Sequence, residues 1–96
     1  MGSLNYLELP VADTKRARAF YQQAFGWGFV EYASTYAATT DRPVNIGLQG
    51  DATEKTAMPL PVIEVSDLEA AKARVLAAGG TITRPAFGFP GGRRFH

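Results

Sequence analysis

Apolar and polar positions alternate along residues 6–11, with Leu7, Leu9 and Val11 on one side and Tyr6, Glu8 and Pro10 on the other. A period of two predicts a strand with one face on a core. Behind Asp13, the residues Ala17, Phe20, Tyr21 and Ala24 recur at helical spacing. That pattern predicts a helix capped by Asp13 and ended by Gly26, which suits the left-handed C-terminal cap. Residues 29–34, 35–40 and 44–49 are rich in aromatic and β-branched side chains and predict three strands, with Asp41-Arg42-Pro43 as the tight turn between the last two.

The same order then begins again. Ile63 and Val65 alternate with Val62 and Glu64, and Asp67, or Ser66 with Glu69 completing a capping box, offers a second helix start. Leu68, Ala71, Val75 and Ala78 form a second apolar stripe, and Gly79 suits its end. Residues 81–84, a Pro- and Gly-rich loop over 85–92 and a strand from Arg93 follow. Shifting the chain by 54 positions superimposes Val11 on Val65, Asp13 on Asp67, Ala17 on Ala71, Ala19 on Ala73, Ala24 on Ala78 and Gly26 on Gly80 without a gap. The chain therefore reads as a duplicated βαβββ unit, an α+β fold. The first module covers 4–50, a polar linker 51–58 and the second module 59–96, all within a single domain spanning 1–96. The counterpart of the strand at 44–49 would fall at 98–103, so the second module lacks its last strand within these 96 residues.

Composition narrows the function classes. A chain of 96 residues supports one hydrophobic core, and 46% hydrophobic with 20% charged residues belongs to a folded protein rather than a disordered one. Ten Lys and Arg against nine Asp and Glu give a formal charge of +1, too small and too interspersed for a nucleic-acid binder. The absence of Cys excludes disulfides, thiolate nucleophiles and Cys-ligated metals. No apolar run approaches the roughly 18 residues of a membrane span, which leads to the expectation of a cytoplasmic protein with no membrane partner. Met1-Gly2-Ser3 reads as a tag remnant without structural weight.

The segments LPVAD at 9–13, AFYQQAFGW at 19–27, VIEVSDLEAA at 62–71 and AAGG at 77–80 resemble the vicinal oxygen chelate superfamily, which includes glyoxalase I, extradiol dioxygenases, fosfomycin-resistance enzymes and bleomycin-resistance proteins. The resemblance covers the chain from Leu4 onward, and its motifs consist of strand, cap and helix-packing residues, which specify fold far better than chemistry. It implies paired modules whose curled mixed sheets enclose a cleft. Metal-dependent members place His, Glu or Gln at set cleft-facing strand positions, because chelation takes three or more N or O ligands at about 2.0–2.2 Å. By the resemblance those positions correspond here to Tyr6, to Leu60 and to the neighbourhood of Gly47, with a fourth beyond His96. None of the three is a usual ligand, so the resemblance points to a member with no metal and no cofactor.

The residues expected to line the cleft for a small-molecule ligand are Tyr6, Glu8, Trp27, Tyr36, Leu60, Phe87 and Phe89. For most of the aromatics this role competes with one in the core or a dimer interface. Tyr6 stands out, since the repeat puts it at the metal position. Glu8 lies opposite the helix-packed residues of its strand and could face a cationic ligand or act as a base. His96, the one histidine, lies at the end of the chain and reads as structural. The GFPGG segment at 88–92 lacks the following helix that a phosphate cradle needs and reads as a loop over the cleft mouth. No catalytic residue set emerges. The leading expectation is a metal-free protein that sequesters or carries an apolar or aromatic compound, working as a homodimer. The alternatives are a metal-dependent glyoxalase- or dioxygenase-type enzyme with ligands elsewhere, and an interaction module whose sheet pairs with a partner. A bleomycin-type binder would need an acidic groove, which the charge balance and Arg93 and Arg94 argue against.

Overall fold

The structure, a computed structural model, describes residues 2–96. Met1, and with it the start of the supposed tag remnant, lies outside the described residues. Ser3 does carry structure, since it opens the first strand. Two compact units are present, one formed by Ser3–Glu64 and the other by Val65–His96 with Gly2. Together they hold two helices, a five-stranded mixed sheet and a two-stranded sheet, an α+β fold as the sequence predicts. Among the described residues no helix is long and apolar enough to cross a membrane.

The unit Ser3–Glu64 contains β1 (Ser3–Pro10), α1 (Thr14–Phe25), β2 (Val30–Ala33), β3 (Tyr36–Ala38), β4 (Asn45–Gln49) and β5 (Leu60–Glu64). The sheet runs in the order β2-β3-β4-β1-β5. β1 pairs parallel with β4, with Leu7 opposite Ile46 and Leu9 opposite Leu48, and antiparallel with β5, with Leu7 opposite Pro61. Partners in register share a face, so Leu7, Leu9, Ile46, Leu48 and Ala37 stand on one side of the sheet. There they join Phe29 in the core, and Val11, Ala17, Tyr21, Trp27 and Val44 close over it. The alternation read at residues 6–11 thus assigns the two faces of β1 correctly.

α1 starts where predicted. The Asp13 carboxylate accepts a hydrogen bond from the Arg16 amide at 3.1 Å, and Asp13 itself is extended with φ −145°. Such a cap contributes about 1 kcal/mol. The helix ends at Gly26 with φ 72°, whose amide donates to the Gln22 carbonyl at 2.9 Å. Its packed stripe differs from the expected one. Thr14, Ala17 and Tyr21 turn inward, while Phe20 stays 58% exposed and Ala24 is exposed as well. Thr14 sets this rotation, because its side chain lies against Gly50 so closely that a Cβ there would collide with Thr14 Oγ1. The stripe then follows i, i+3 and i+7 from Thr14.

The turn between β3 and β4 is built by side chains. Thr39 Oγ1 donates to Asn45 Oδ1 at 3.0 Å and accepts from the Ile46 amide at 2.8 Å, while the Arg42 amide donates to Asn45 Oδ1 at 3.3 Å. Asp41 takes a left-handed conformation with φ 59°, a geometry Asp tolerates in turns. The linker after β4 is ordered by Asp51, whose carboxylate accepts from the Thr53 amide at 2.8 Å and hydroxyl at 2.7 Å. The hydrogen bond from the Thr53 hydroxyl, and after it the one from the Thr53 amide, holds the Asp51 carboxyl below its ordinary pKa.

The second unit contains α2 (Leu68–Ala77), β6 (Phe87–Phe89) and β7 (Gly92–Arg94). Of the two alternatives for its cap, Asp67 is the one used, accepting from the Ala70 amide at 3.0 Å. Gly79, with φ 93°, supplies the left-handed residue after the helix, where its amide donates to the Leu76 carbonyl and the Gly80 amide to the Val75 carbonyl. The stretch 85–92 is not the loop expected from its Pro and Gly content. It forms half of a hairpin, with Phe87 opposite Arg94 and Phe89 opposite Gly92, turning at Pro90-Gly91 where Gly91 has φ 108°. Gly91 serves the tight turn, while Gly88 lies within the strand opposite Arg93, between the two phenylalanines.

Candidate functional site

The face of the large sheet opposite α1 is set by the same registers. Tyr6, Glu8 and Pro10 of β1 lie beside Asn45, Gly47 and Gln49 of β4, and Tyr36 and Ala38 of β3 lie beside Gln49 and Gly47. On the other flank Val62 pairs with Tyr6 and Leu60 with Glu8. Four of the residues expected to bind ligand, Tyr6, Glu8, Tyr36 and Leu60, are therefore brought to one face.

At its centre the Tyr6 and Tyr36 hydroxyls hydrogen-bond to each other across β4. Gly47 lies beneath that bond. A Cβ at this position would fall 2.8 Å from Tyr6 Cζ and collide with both phenol oxygens. The two rings thus occupy the volume that any other residue at 47 would fill, and the Thr39–Asn45 turn sets the register that brings Gly47 under them. Tyr32 extends the aromatic surface, its ring centroid 6.3 Å from that of Tyr36. Glu8, next along β1, is only 2% exposed, so its carboxylate is part of the interior of this face rather than a solvated edge group. Tyr6, Tyr36, Leu60 and Val62 are half-buried, leaving an apolar surface with phenol oxygens at its middle.

The other expected residues belong to other elements. Trp27 belongs to the helix side, where it stacks on Tyr21 with ring centroids 5.2 Å apart and planes 6° from parallel. Phe25 packs beside it at 5.5 Å, and Arg42 lies over the indole at 5.2 Å. Phe87 and Phe89 stand in the hairpin of the second unit, gathered with Arg84, Arg94 and His96. Neither Tyr32 nor Arg84 is among the residues expected to bind ligand. The spacing of Tyr32 and Tyr36 about a two-residue turn is the signal for the first. The absence of any acid after Glu69 is the signal for the second.

The chemistry of the positions that the resemblance assigns to metal ligands is equally plain. Tyr6 offers a phenol, Gly47 no side chain and Leu60 a hydrocarbon. Among the described residues no three His, Cys, Asp or Glu side chains are gathered so that they could hold one ion. These positions do not fit a chelated divalent metal. What the face can do is bind: aromatic plates supply apolar contact, and the phenol oxygens can donate or accept hydrogen bonds.

Comparison with the curated proteins finds no match. The family model of the Glyoxalase/Bleomycin resistance protein/Dioxygenase superfamily matches residues 3–96. That match spans both copies of the strand–cap–helix pattern, and by it the chain belongs to the Glyoxalase/Bleomycin resistance protein/Dioxygenase superfamily.

Proposed function

We propose that this chain is a metal-free small-molecule-binding protein, which holds an apolar or aromatic ligand against the sheet face bearing Tyr6, Tyr36 and Leu60. The observation that carries the reading is the phenol pair over Gly47. A position that the resemblance assigns to a metal ligand is taken up by two half-buried aromatic rings with their oxygens joined. Tyr32 and Val62 widen the same surface, and α1 packs on the opposite face. Such a surface rewards a planar apolar body, since each well-packed aromatic contact contributes about 0.5–1.5 kcal/mol beyond area burial. A metal-dependent reaction is not favoured, because the donor set at these positions lacks His and carboxylate.

N-phenyl-1-naphthylamine, an uncharged aromatic fluorophore, is the appropriate probe. Saturable binding is expected, and Tyr36→Ala should weaken it by about 1–3 kcal/mol, roughly fivefold to 150-fold. Phe20→Ala, on the exposed side of α1, should leave the affinity unchanged. Fluorescence titration checks this. Absence of saturable binding, or equal losses in both variants, would refute the reading.

We propose in addition that the protein works as a homodimer. Support comes from β2, an edge strand whose four residues are all exposed, and from Leu4 and Ile63, which pair in register and remain 54% and 60% exposed. Edges and apolar pairs of this kind favour pairing with a second chain. Light scattering at micromolar concentration should return twice the chain mass, whereas a stable monomer would remove the proposal.

A further inference from the structure

Two amide side chains of β4, Asn45 and Gln49, share the sheet face of the phenol pair. They stand two residues to either side of Gly47, Asn45 in register with Tyr6 and Gln49 in register with Tyr36, and both are half-buried. Each has its side-chain oxygen committed to a loop. The Ile46 amide donates to Thr39 Oγ1 at 2.8 Å, which leaves the Thr39 hydroxyl proton for Asn45 Oδ1 at 3.0 Å, and the Arg42 amide donates to the same oxygen at 3.3 Å. At the other end of the strand the Asp51 amide donates to Gln49 Oε1 at 3.0 Å. A backbone N–H only donates, so the atom turned to it in each side chain is the carbonyl oxygen and not the amide nitrogen.

What remains to both side chains is the NH2 group. Among the described residues no group accepts a hydrogen bond from Asn45 Nδ2 or Gln49 Nε2, and neither nitrogen is a sealed, unsatisfied atom, so both are open to a ligand. Strands β1, β3, β4 and β5 carry no Lys or Arg, so these donors are neutral ones. A neutral N–H donor matches a neutral acceptor such as a carbonyl oxygen, whereas an anion is matched by a guanidinium or ammonium. The two residues are about 13 Å apart, four positions along the strand at roughly 3.3 Å each. A two-ring aromatic body lying over the phenols brings a substituent at its end toward one of them.

We infer that Asn45 and Gln49 are specificity-determining residues of this face and that its ligands are aromatic carbonyl compounds, held through the ring system by Tyr6 and Tyr36 and through the carbonyl oxygen by one of the two amides. The inference rests on the reading of the face as a binder of aromatic compounds and names the class within it. A few fixed polar groups in an apolar surface are what orient a ligand. Here the loop contacts hold both oxygens before any ligand arrives, so little ordering is left to be done on binding.

The test compares 6-propionyl-2-(dimethylamino)naphthalene, an uncharged ketone, with 2-(dimethylamino)naphthalene, the same body without the carbonyl, by fluorescence titration on the full chain. Circular dichroism confirms that each variant is folded. The ketone should bind about two- to tenfold more tightly, the yield of one neutral hydrogen bond. Asn45→Asp and Gln49→Glu each keep the oxygen that accepts from the loop and replace the NH2 by a second oxygen. The double variant should therefore erase the preference for the ketone, with one of the single variants accounting for most of the loss. Gln23→Glu, which adds the same charge on the exposed side of α1, should preserve it. Persistence of the preference in the double variant, or in both single variants should the double one fail to fold, would overturn the assignment. An equal loss in Gln23→Glu would overturn it too, by showing a general effect of charge. Equal affinity of the unaltered protein for the two probes would overturn the carbonyl class while leaving aromatic binding intact. Failure of both probes to bind would overturn the inference together with the reading it rests on.

Discussion

Leu48→Ala should lower the stability of the protein by about 2–5 kcal/mol. Leu48 sits in the middle of β4, fully buried, with Leu9 of β1 and Ala37 of β3 in register on either side. It is packed in one cluster with Phe29 and Ile46, and α1 contributes Ala17 and Tyr21 above. Ala37 is too small to lean into the space a truncated residue 48 would leave, and β-sheet hydrogen bonds on both flanks prevent β4 from collapsing inward. The cavity therefore persists, which places the cost in the upper part of the range. A domain of this size has only about 5–15 kcal/mol to lose, so the melting temperature should fall by ten degrees or more, on the order of 4–8 °C per kcal/mol. Leu76→Ala on α2 serves as the comparison, since Leu76 is 50% exposed and its truncation should cost well under about 1 kcal/mol. Urea unfolding followed by tryptophan fluorescence measures the first directly, Trp27 being part of the same cluster. A loss below that of Leu76→Ala would contradict the packing described.

Period-two patterning makes the faces of β1 readable from the sequence alone, because Leu7 and Leu9 can only be buried together if Tyr6 and Glu8 point the other way. Asp13, Gly26, Asp67 and Gly79 are legible for an equally local reason: each satisfies or ends a helix through its own backbone or side chain. What local pattern cannot convey is which half of a broad apolar stripe wins. Phe20 is larger and more apolar than Thr14, yet Thr14 is buried, because Gly50, far along the chain, has the space to receive it. Trp27 illustrates the same limit. An aromatic just past a helix suits a ligand face and a core equally, and the stacking of Trp27 on Tyr21 depends on how α1 is rotated. Composition hides the hairpin at 87–94, since Gly and Pro signal a loop, yet Gly88 and Gly92 here sit within the paired strands and only Pro90 and Gly91 make the turn. Gly47 is legible as a position lacking a metal ligand. That two phenols 30 residues apart in the chain meet over it follows only from the β1–β4–β3 register.

Gly47→Ala is expected to be the second most costly single change and the most informative about the candidate site. Gly47 is buried between β1 and β3, and its ideal Cβ would meet both phenol oxygens and lie 2.8 Å from Tyr6 Cζ. One methyl group must therefore displace both phenol oxygens and disturb the Tyr6–Tyr36 hydrogen bond. Overpacking a filled site costs about 1–3 kcal/mol, and the separated hydroxyls add about 0.5–1.5 kcal/mol for the lost bond. Because the obstruction is the far end of two side chains and not backbone, it can be relieved in a defined way. Tyr6→Phe removes one of the colliding oxygens, and Tyr6→Leu removes the ring end with it. Gly47→Ala should thus cost less in either background than alone, with a coupling of about 1 kcal/mol or more in a double-mutant cycle. Affinity for N-phenyl-1-naphthylamine provides the second readout, since a displaced phenol ring changes the apolar surface offered to the probe. A Gly47→Ala protein of unchanged stability and unchanged affinity would mean that the rings do not fill the space above β4. Equal costs in all three backgrounds would locate the obstruction in some group other than Tyr6.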